Sequence, residues 1–461
     1  MSHPPSSETP PVGIGPRRRR VRLGPTARAL AWAAAYLVLV CSPLLALLIG
    51  PTPPGRGLRW DYSMALGFAG LAVLGVQFAL TARFRRATAP FGIDVIYRFH
   101  RWMAMGGFGL ILVHYALLRV FYPAALGPLD PRLTPIHMTA GRVAAGLFLA
   151  LIVSSVARKR LRLEYDRWRM AHATLSVAAV VLALVHVAGV GNYTALPWKR
   201  ALWIGYTGFW VFLVVWVRLV KPWRMVARPW EVVDVRPERG RAWTLTLAPV
   251  GHAGAHFTAG QFFWLALRRS PFRAREHPFS AAGSASPGSP VRFTIKELGD
   301  FSRTIGSTRT GDRAFLDGPY GVFCADRYPG AHGYAFFAGG VGIAPAMSML
   351  RTMADRGERR RLYLVYANDR WEDVIFREEL EELSRRLVLS VTHVLVDPPE
   401  GWAGETGFVR PSLLRRALPE NLTGLEFFIC GPRPMSEEIQ RFLGDWGVPL
   451  HRVHDEIFDM V

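Results

Sequence analysis

Cysteine is scarce. The 461 residues contain three, Cys41, Cys324 and Cys430, far apart in the chain. They cannot form a four-thiolate iron–sulfur or zinc site, and they imply no disulfide framework. Lysine is also rare: Lys159, Lys199, Lys221 and Lys296 are the only four among 56 basic residues. We read the arginine excess as the mark of a GC-rich, bacterial coding sequence. The formal charge of +21 does not point to nucleic acid, because the membrane loops account for most of this charge. A cleavable leader is not expected. Residues 1–28 are Pro- and Ser-rich, carry "PRRRR", and read as a disordered basic cytoplasmic tail; the apolar run that follows is long and ends in no small-residue cleavage site. Long apolar runs are missing after Pro229, so the second half is not built to cross a bilayer.

The first half is. Six apolar stretches, near 29–50, 62–82, 99–121, 138–157, 168–189 and 201–220, are each long enough to span. Basic residues concentrate in the tail (Arg17 to Arg20, Arg22, Arg28), the second loop (Arg83, Arg85, Arg86), the fourth loop (Arg158, Lys159, Arg160, Arg162) and the exit (Arg218, Lys221, Arg224, Arg228). With six spans these all lie on one side, which places both termini in the cytoplasm of a multi-pass bacterial plasma-membrane protein.

Two of the spans share a pattern. "HRWMAMGGFGLILVH" runs from His100 to His114, and "HATLSVAAVVLALVH" from His172 to His186. Fourteen helical residues rise about 21 Å and fall about 40° short of four turns, so each pair lies on one face at two depths. The two spans run in the same direction. His100 therefore meets His172 near the cytoplasm, and His114 meets His186 near the far side. Two stacked bis-histidine sites suit two b-type haems. Interhelical hydrogen bonding is the plainer use of a membrane histidine. Gly106, Gly107 and Gly109 remove bulk between the two levels; Phe108 reads as packing. Arg98, Arg101 and Arg169 are candidate propionate partners for an inner haem, and Arg142 and His137 for an outer one.

After Pro229 come short β-type runs, "EVVDVRP", "AWTLTLAP", "QFFWLAL", "VRFTIKEL" and "RAFLDGP", which predict a small antiparallel barrel. From Tyr334 strands and helices alternate, which predicts a doubly wound parallel sheet. The expected fold is thus an all-α membrane bundle (29–225), an antiparallel β-barrel domain (226–328) and an α/β nucleotide-binding domain (329–461). "HPFS" (His277, Pro278, Phe279, Ser280) offers a ring to stack on a flavin and a hydroxyl for its edge. "FTIKELGDFSRTI" adds Lys296, and Ser302 and Arg303 open a turn whose free N–H groups suit a pyrophosphate. "DGPYG", with Gly318, reads as the link between lobes. "AGGVGIAP" places Gly339, Gly340 and Gly342 at a strand-to-helix turn fit for phosphate, although it is not G-x-G-x-x-G. "CGPRPM" (Cys430, Gly431, Pro432) ends a strand on the ligand-binding edge, and Phe458 in the closing "HDEIFDMV" is placed to cover a flavin face.

The ordered series of flavin motif, "GPYG", "GGVGIAP", "CGP" and terminal aromatic resembles the ferredoxin–NADP reductase superfamily. Joined to six spans and two histidine pairs, the chain from about residue 29 resembles the ferric reductase and NADPH oxidase superfamily. The resemblance implies cofactors FAD, two haem b and NADPH, with NADH the alternative. It implies that Phe279 and Ser280 contact the isoalloxazine, that the 339–342 glycines contact nucleotide phosphates, and that Cys430 lies by the nicotinamide. Ser280, Cys430 and Phe458 become the expected catalytic residues, and Arg370 the 2′-phosphate ligand, with Asp369 opposing it. The family's soluble members usually carry arginine where His277 stands; its membrane oxidases tend to carry histidine. The pyrophosphate cation is left between Arg275 and Arg303. No calcium-binding loops precede the spans, so calcium control is not expected. The expected activity is electron transfer from cytoplasmic NAD(P)H through FAD and two haems to an extracytoplasmic acceptor, either dioxygen or a ferric chelate. A periplasmic redox partner, a redox-gated metal transporter and a haem-bearing redox sensor are the alternatives.

Overall fold

The computed structural model describes residues 25–51, 54–82, 93–273 and 275–456. Phe458, the cationic clusters at 17–22 and at 83–86, and most of the tail lie outside them. The first half is helical: α1 (Pro25–Leu47), α2 (Leu58–Thr81), α3 (Ile93–Phe121), a short α4 (Pro123–Leu126), α5 (Ile136–Val156), α6 (Tyr165–Val190), α7 (Pro197–Val215), then a π-turn (Trp216–Val220) leading into α8 (Lys221–Val226). A segment in hydrocarbon must satisfy every backbone group internally, and a helix does so. Six of these elements, with α7 and α8 counted as one, are long and apolar enough to cross a membrane.

Several helices extend past the apolar windows of the sequence. The third starts at Ile93, the fifth at Tyr165, and the sixth runs to Val226. Interfacial residues such as Tyr97, Trp168 and Trp223 lower or interrupt the apolar run but keep the helical bonds. Helix α2 packs along α3, and α5 along α6; the two histidine helices α3 and α6 are not packed closely backbone to backbone. Gly107 is used for the α2–α3 contact, lying against Val73 and Leu74, whereas a Cβ at Gly106 or Gly109 would meet nothing within 4 Å. Phe108 sits at mid-depth in a buried cluster with Leu74, Phe148 and Val180.

Three residues after α8 the barrel begins: β1 (Trp230–Glu238), β2 (Ala242–Pro249), β3 (Phe262–Leu267), β4 (His277–Ser280), β5 (Val291–Lys296) and β6 (Arg313–Tyr320). The order is β4-β3-β6-β1-β2-β5, with every pairing antiparallel. A single bridge, Ala281 to Phe293, joins the two edges and closes the sheet directly after the "HPFS" strand. Alternating residues such as Val232, Leu245, Leu247, Phe263, Leu265 and Phe293 fill the interior.

The last domain is a parallel sheet of β7 (Gly333–Gly339), β8 (Arg361–Asn368), β9 (Leu389–Leu395), β10 (Glu405–Thr406), β11 (Leu425–Cys430) and β12 (Val453–Glu456), in the order β10-β9-β8-β7-β11-β12. Helices α9 (Ile343–Asp355) and α10 (Arg377–Arg386) cover one face; α11 (Pro411–Ala417) and α12 (Arg433–Asp445) cover the other. Strand order reverses between β7 and β11, so "AGGVG" and "CGP" emerge side by side at the switch point, where such sheets bind ligands.

Candidate functional site

The four histidines lie near one another in two sets. His100 and His172 are close enough to interact electrostatically, and so are His114 and His186. Their ring nitrogens are not equivalent. His114 Nδ1 lies 2.8 Å from the Ser63 carbonyl oxygen, and His186 Nδ1 lies 3.0 Å from that of His137. A carbonyl only accepts, so both Nδ1 atoms carry the proton and both Nε2 lone pairs are left to bind something. Ser63 Oγ donates to the carbonyl of His114 at 3.0 Å and completes a two-way clamp. At the inner level Ser155 Oγ donates to Leu151 and stands 3.4 Å from His172 Nδ1, which again favours the Nδ1–H form. Two glycines make room for the outer rings. A Cβ at Gly67 would meet His114 Nδ1 at 3.2 Å, and one at Gly141 would meet His186 Nδ1 at 2.7 Å. Neither glycine, nor the Ser63 hydroxyl, stands out in the sequence. Only an i, i+4 count from Ser63 to Gly67 could have hinted that they face one ring. Among the described residues no group of three or more His, Cys, Asp or Glu is arranged to hold a metal ion.

Of the expected propionate partners, Arg142 and Arg169 have protein partners. Arg142 donates to the carbonyls of Leu126, Gly127 and Pro128, holding the loop after α4. Arg169 binds Glu276 of the barrel. His137 lends its carbonyl to His186, and its side chain packs where a Cβ on Gly189 would sit. Arg98 and Arg101 are exposed.

In the second half a cleft of about 930 Å³ opens between barrel and nucleotide domain. Its walls include His277, Pro278, Phe279, Ser280, Lys296, Ser302 and Gly342, together with Arg275. Phe301, which the sequence reading missed, stacks on His277 at 4.1 Å and on Phe279 at 5.9 Å. Burial, and after it the positive charge of Arg169, push the His277 imidazole down to about 4, so this ring is neutral at pH 7.

Several expectations at the cleft are corrected. Ser302 begins a six-residue 3₁₀ turn, and its hydroxyl accepts from the N–H groups of Leu298 and Gly299. It shapes its own loop, and Arg303 beside it is exposed and absent from the cleft walls, which leaves Arg275 of the two cations considered. Gly318 is buried in β6 against Phe263 and does not line the cleft. Of the three nucleotide-loop glycines, Gly342 is required by packing, since a Cβ there would run into the Cys430 carbonyl; Gly340 adopts φ +52° with open space around it, so its backbone is the accessible one. Gly339 packs against Pro432, and Gly431 against Gly339, so the two loops brace each other.

Ser280 Oγ lies 3.5 Å from Glu456 Oε2, and Glu456 pairs with Cys430 across the β11–β12 ladder. Serine, thiol and carboxylate thus lie close together at the end of β11, and of the three Ser280 lines the cleft; Glu456 was not singled out in the sequence. Burial pushes the Cys430 thiol well up, so it stays protonated and is no nucleophile.

Residues 66–183 match the family described as ferric reductase like transmembrane component, and residues 336–441 the family described as oxidoreductase NAD-binding domain. This fusion matches the ferric reductase and NADPH oxidase superfamily. Among curated relatives, NADH-cytochrome b5 reductase 1 of Lodderomyces elongisporus is 32% identical over 169 residues, 35% of this chain and 56% of that protein. The glycine betaine monooxygenase reductase subunit of Pseudomonas aeruginosa is 32% identical over 183 residues, 38% of this chain and 50% of that protein. The chain thus spans about half the length of the curated relatives it matches. A solved ferredoxin NADP+ reductase from Neisseria gonorrhoeae with bound FAD and NADP superposes with a TM-score of 0.44 at 22% identity, covering 50% of this chain and 97% of that one. In this superfamily fusion the reductase half is of the flavin- and pyridine-nucleotide-binding kind, and the helical half is a multi-pass membrane domain.

At the nucleotide end, Arg370 follows β8 as expected, but its Nε donates to Asp397 Oδ2 at 3.0 Å, and the Asp397 N–H donates to the Asp369 carbonyl at 2.8 Å. The guanidinium expected at a 2′-phosphate is therefore paired with a carboxylate, that of Asp397.

Proposed function

We propose that the chain is a transmembrane electron-transfer enzyme. It takes electrons from a pyridine nucleotide on the cytoplasmic side and delivers them to a small acceptor, dioxygen or a ferric chelate, on the other. The observation that carries this reading is the tautomer lock on the outer imidazoles. With Nδ1–H tied to the carbonyls of Ser63 and His137, both Nε2 atoms are left as ligands. Two imidazoles at each of two depths suit porphyrin iron, which takes only its axial ligands from protein. His100 and His172 would hold the inner haem; His114 and His186 would hold the outer.

Bound FAD would supply the change from a two-electron donor to single-electron transfer, and bound haem a relay through the lipid. The chain's own groups do the rest. Ser280, Glu456 and the protonated Cys430 thiol surround the place where nucleotide and flavin meet. The open backbone at Gly340 receives phosphate oxygens at the start of α9. NADH is favoured over NADPH, because Arg370 is paired with Asp397 and acidic groups at this strand end suit a ribose diol. The name of the first relative, an NADH-cytochrome b5 reductase, supports the same choice.

The purified full-length protein should show a bis-histidine b-type spectrum that NADH reduces only when FAD is present. A His114→Ala variant should lose the outer haem and keep flavin reduction. Colourless protein after expression with ample haem would refute the reading.

A further inference from the structure

Both helices that carry the inner histidines begin on the barrel. Tyr97, three residues before His100, packs on the buried cluster of Phe262, Trp264 and Tyr320. Arg169, three residues before His172, forms an ion pair with Glu276 at 3.5 Å, donates to the Glu276 carbonyl at 3.3 Å, and lies 5.4 Å from the centre of the Trp264 ring. Three residues apart on a helix share a face. Glu276 in turn directly precedes β4, the strand bearing "HPFS". One helical turn therefore separates an inner histidine from the strand that walls the flavin cleft.

The neighbouring charges are arranged to fix register. Asp166, one turn before Arg169, faces Arg275 at 3.8 Å. The helix offers minus then plus; the segment entering β4 offers plus then minus. A slip that brought Asp166 to Glu276, or Arg169 to Arg275, would set like charges together, and like-charge contacts discriminate strongly against a wrong register. Arg169 and Glu276 are nearly buried, with side-chain exposures of 13% and 8%. Breaking such a pair leaves an uncompensated charge.

We propose that Arg169 is a positioning residue. Through Glu276 it fixes the flavin strand to the inner-histidine helix, and so sets the gap that electrons cross between the two halves. This rests on the electron-transfer reading above. Arg169 is consequently not a propionate ligand. Its effect is on transfer between the halves, with flavin reduction left alone.

The test follows flavin and haem absorbance together after anaerobic mixing of full-length protein with NADH. It compares wild type, Arg169→Gln, Glu276→Gln and the exchanged pair Arg169→Glu/Glu276→Arg. Loss of the pair loosens the gap that electrons cross, so haem reduction in the single variants should slow severalfold at an unchanged rate of flavin reduction. The exchanged pair should recover most of the loss. Hydrogen–deuterium exchange over residues 271–281 gives a readout independent of electron flow: protection should fall in the single variants and return in the exchanged pair. Equal slowing of flavin and haem reduction would overturn the proposal, as would wild-type haem reduction in Arg169→Gln. Should the single variants fail to fold, the exchanged pair decides: a folded exchanged pair that reduces haem at the wild-type rate supports the proposal, and one that folds with slow haem reduction, or does not fold, overturns it. Wild-type protein without a haem band would overturn the electron-transfer reading itself.

Discussion

Substituting Gly141 by alanine adds one methyl group and should dislodge the outer haem. The new Cβ would stand 2.7 Å from His186 Nδ1 and 2.8 Å from its Cγ. Carbon atoms settle at about 3.5–4.0 Å, so ring and helix must part by roughly 0.7 Å or more. The same Nδ1 makes the 3.0 Å bond to the carbonyl of His137, one turn before Gly141 on the same helix. Retreat therefore strains or breaks the bond that sets the tautomer. Overpacking of this kind costs about 1–3 kcal/mol, which corresponds to roughly five- to hundredfold weaker retention of a ligand. Gly208→Ala, on a helix that carries none of the four histidines, is the matched control, because its Cβ meets nothing within 4 Å; on helix propensity alone it should be neutral or stabilising by up to about 1 kcal/mol. Haem per protein, read from the pyridine haemochrome after purification, should fall towards one in Gly141→Ala and stay at two in the control. A full complement and an unaltered spectrum in Gly141→Ala would refute the placement of His186 as a ligand.

Two further outcomes are expected. Asp397→Ala should free Arg370 for a 2′-phosphate. The pair is exposed, and such pairs contribute about 0.2–1 kcal/mol, so kcat/KM for NADPH should rise by no more than about fivefold while NADH is little affected; an unchanged ratio would show that Arg370 does not reach the nucleotide. The His277 imidazole, held down at about 4 against 6.5 in the unfolded chain, makes stability depend on pH. Below 6.5 the unfolded chain binds a proton that the folded one refuses, so stability falls as pH drops and the penalty levels off below about 4. At pH 5 it amounts to about 2 kcal/mol. Melting curves of the protein between pH 7 and 5 should be flatter for His277→Gln, and an identical slope would remove His277 from the account.

The architecture was legible because its signals are local. Six apolar windows gave the spans, and a spacing of fourteen put each histidine pair on one helix face. Alternation gave the barrel strands, and strand–helix alternation gave the parallel sheet. Site residues contributed by contiguous motifs, such as His277 to Ser280 and Gly342, did line one cleft. What the sequence hid depends on partners far along the chain. Arg169 looked like a propionate ligand because nothing near it announces Glu276, more than a hundred residues on. Arg142 likewise donates to loop carbonyls that its sequence neighbours do not announce. At Ser302 the bonds are local: the N–H groups of Arg303 and Thr304 go to the carbonyls of Gly299 and Phe301, and the hydroxyl accepts from two N–H groups of the same loop. Gly67 and Gly141 were overlooked because small residues line most membrane helix contacts, and only the facing ring gives these two their meaning.

Only residues 227–229 separate the last membrane helix from the first barrel strand. A connection this short cannot swing. On the proposed electron-transfer reading, the donor module is thus stationed at its own entry port, and no docking encounter precedes each turnover. Internal transfer should then be first order, with a rate constant that is the same at any dilution and is insensitive to competing soluble carriers or to the crowding of neighbouring proteins in the bilayer.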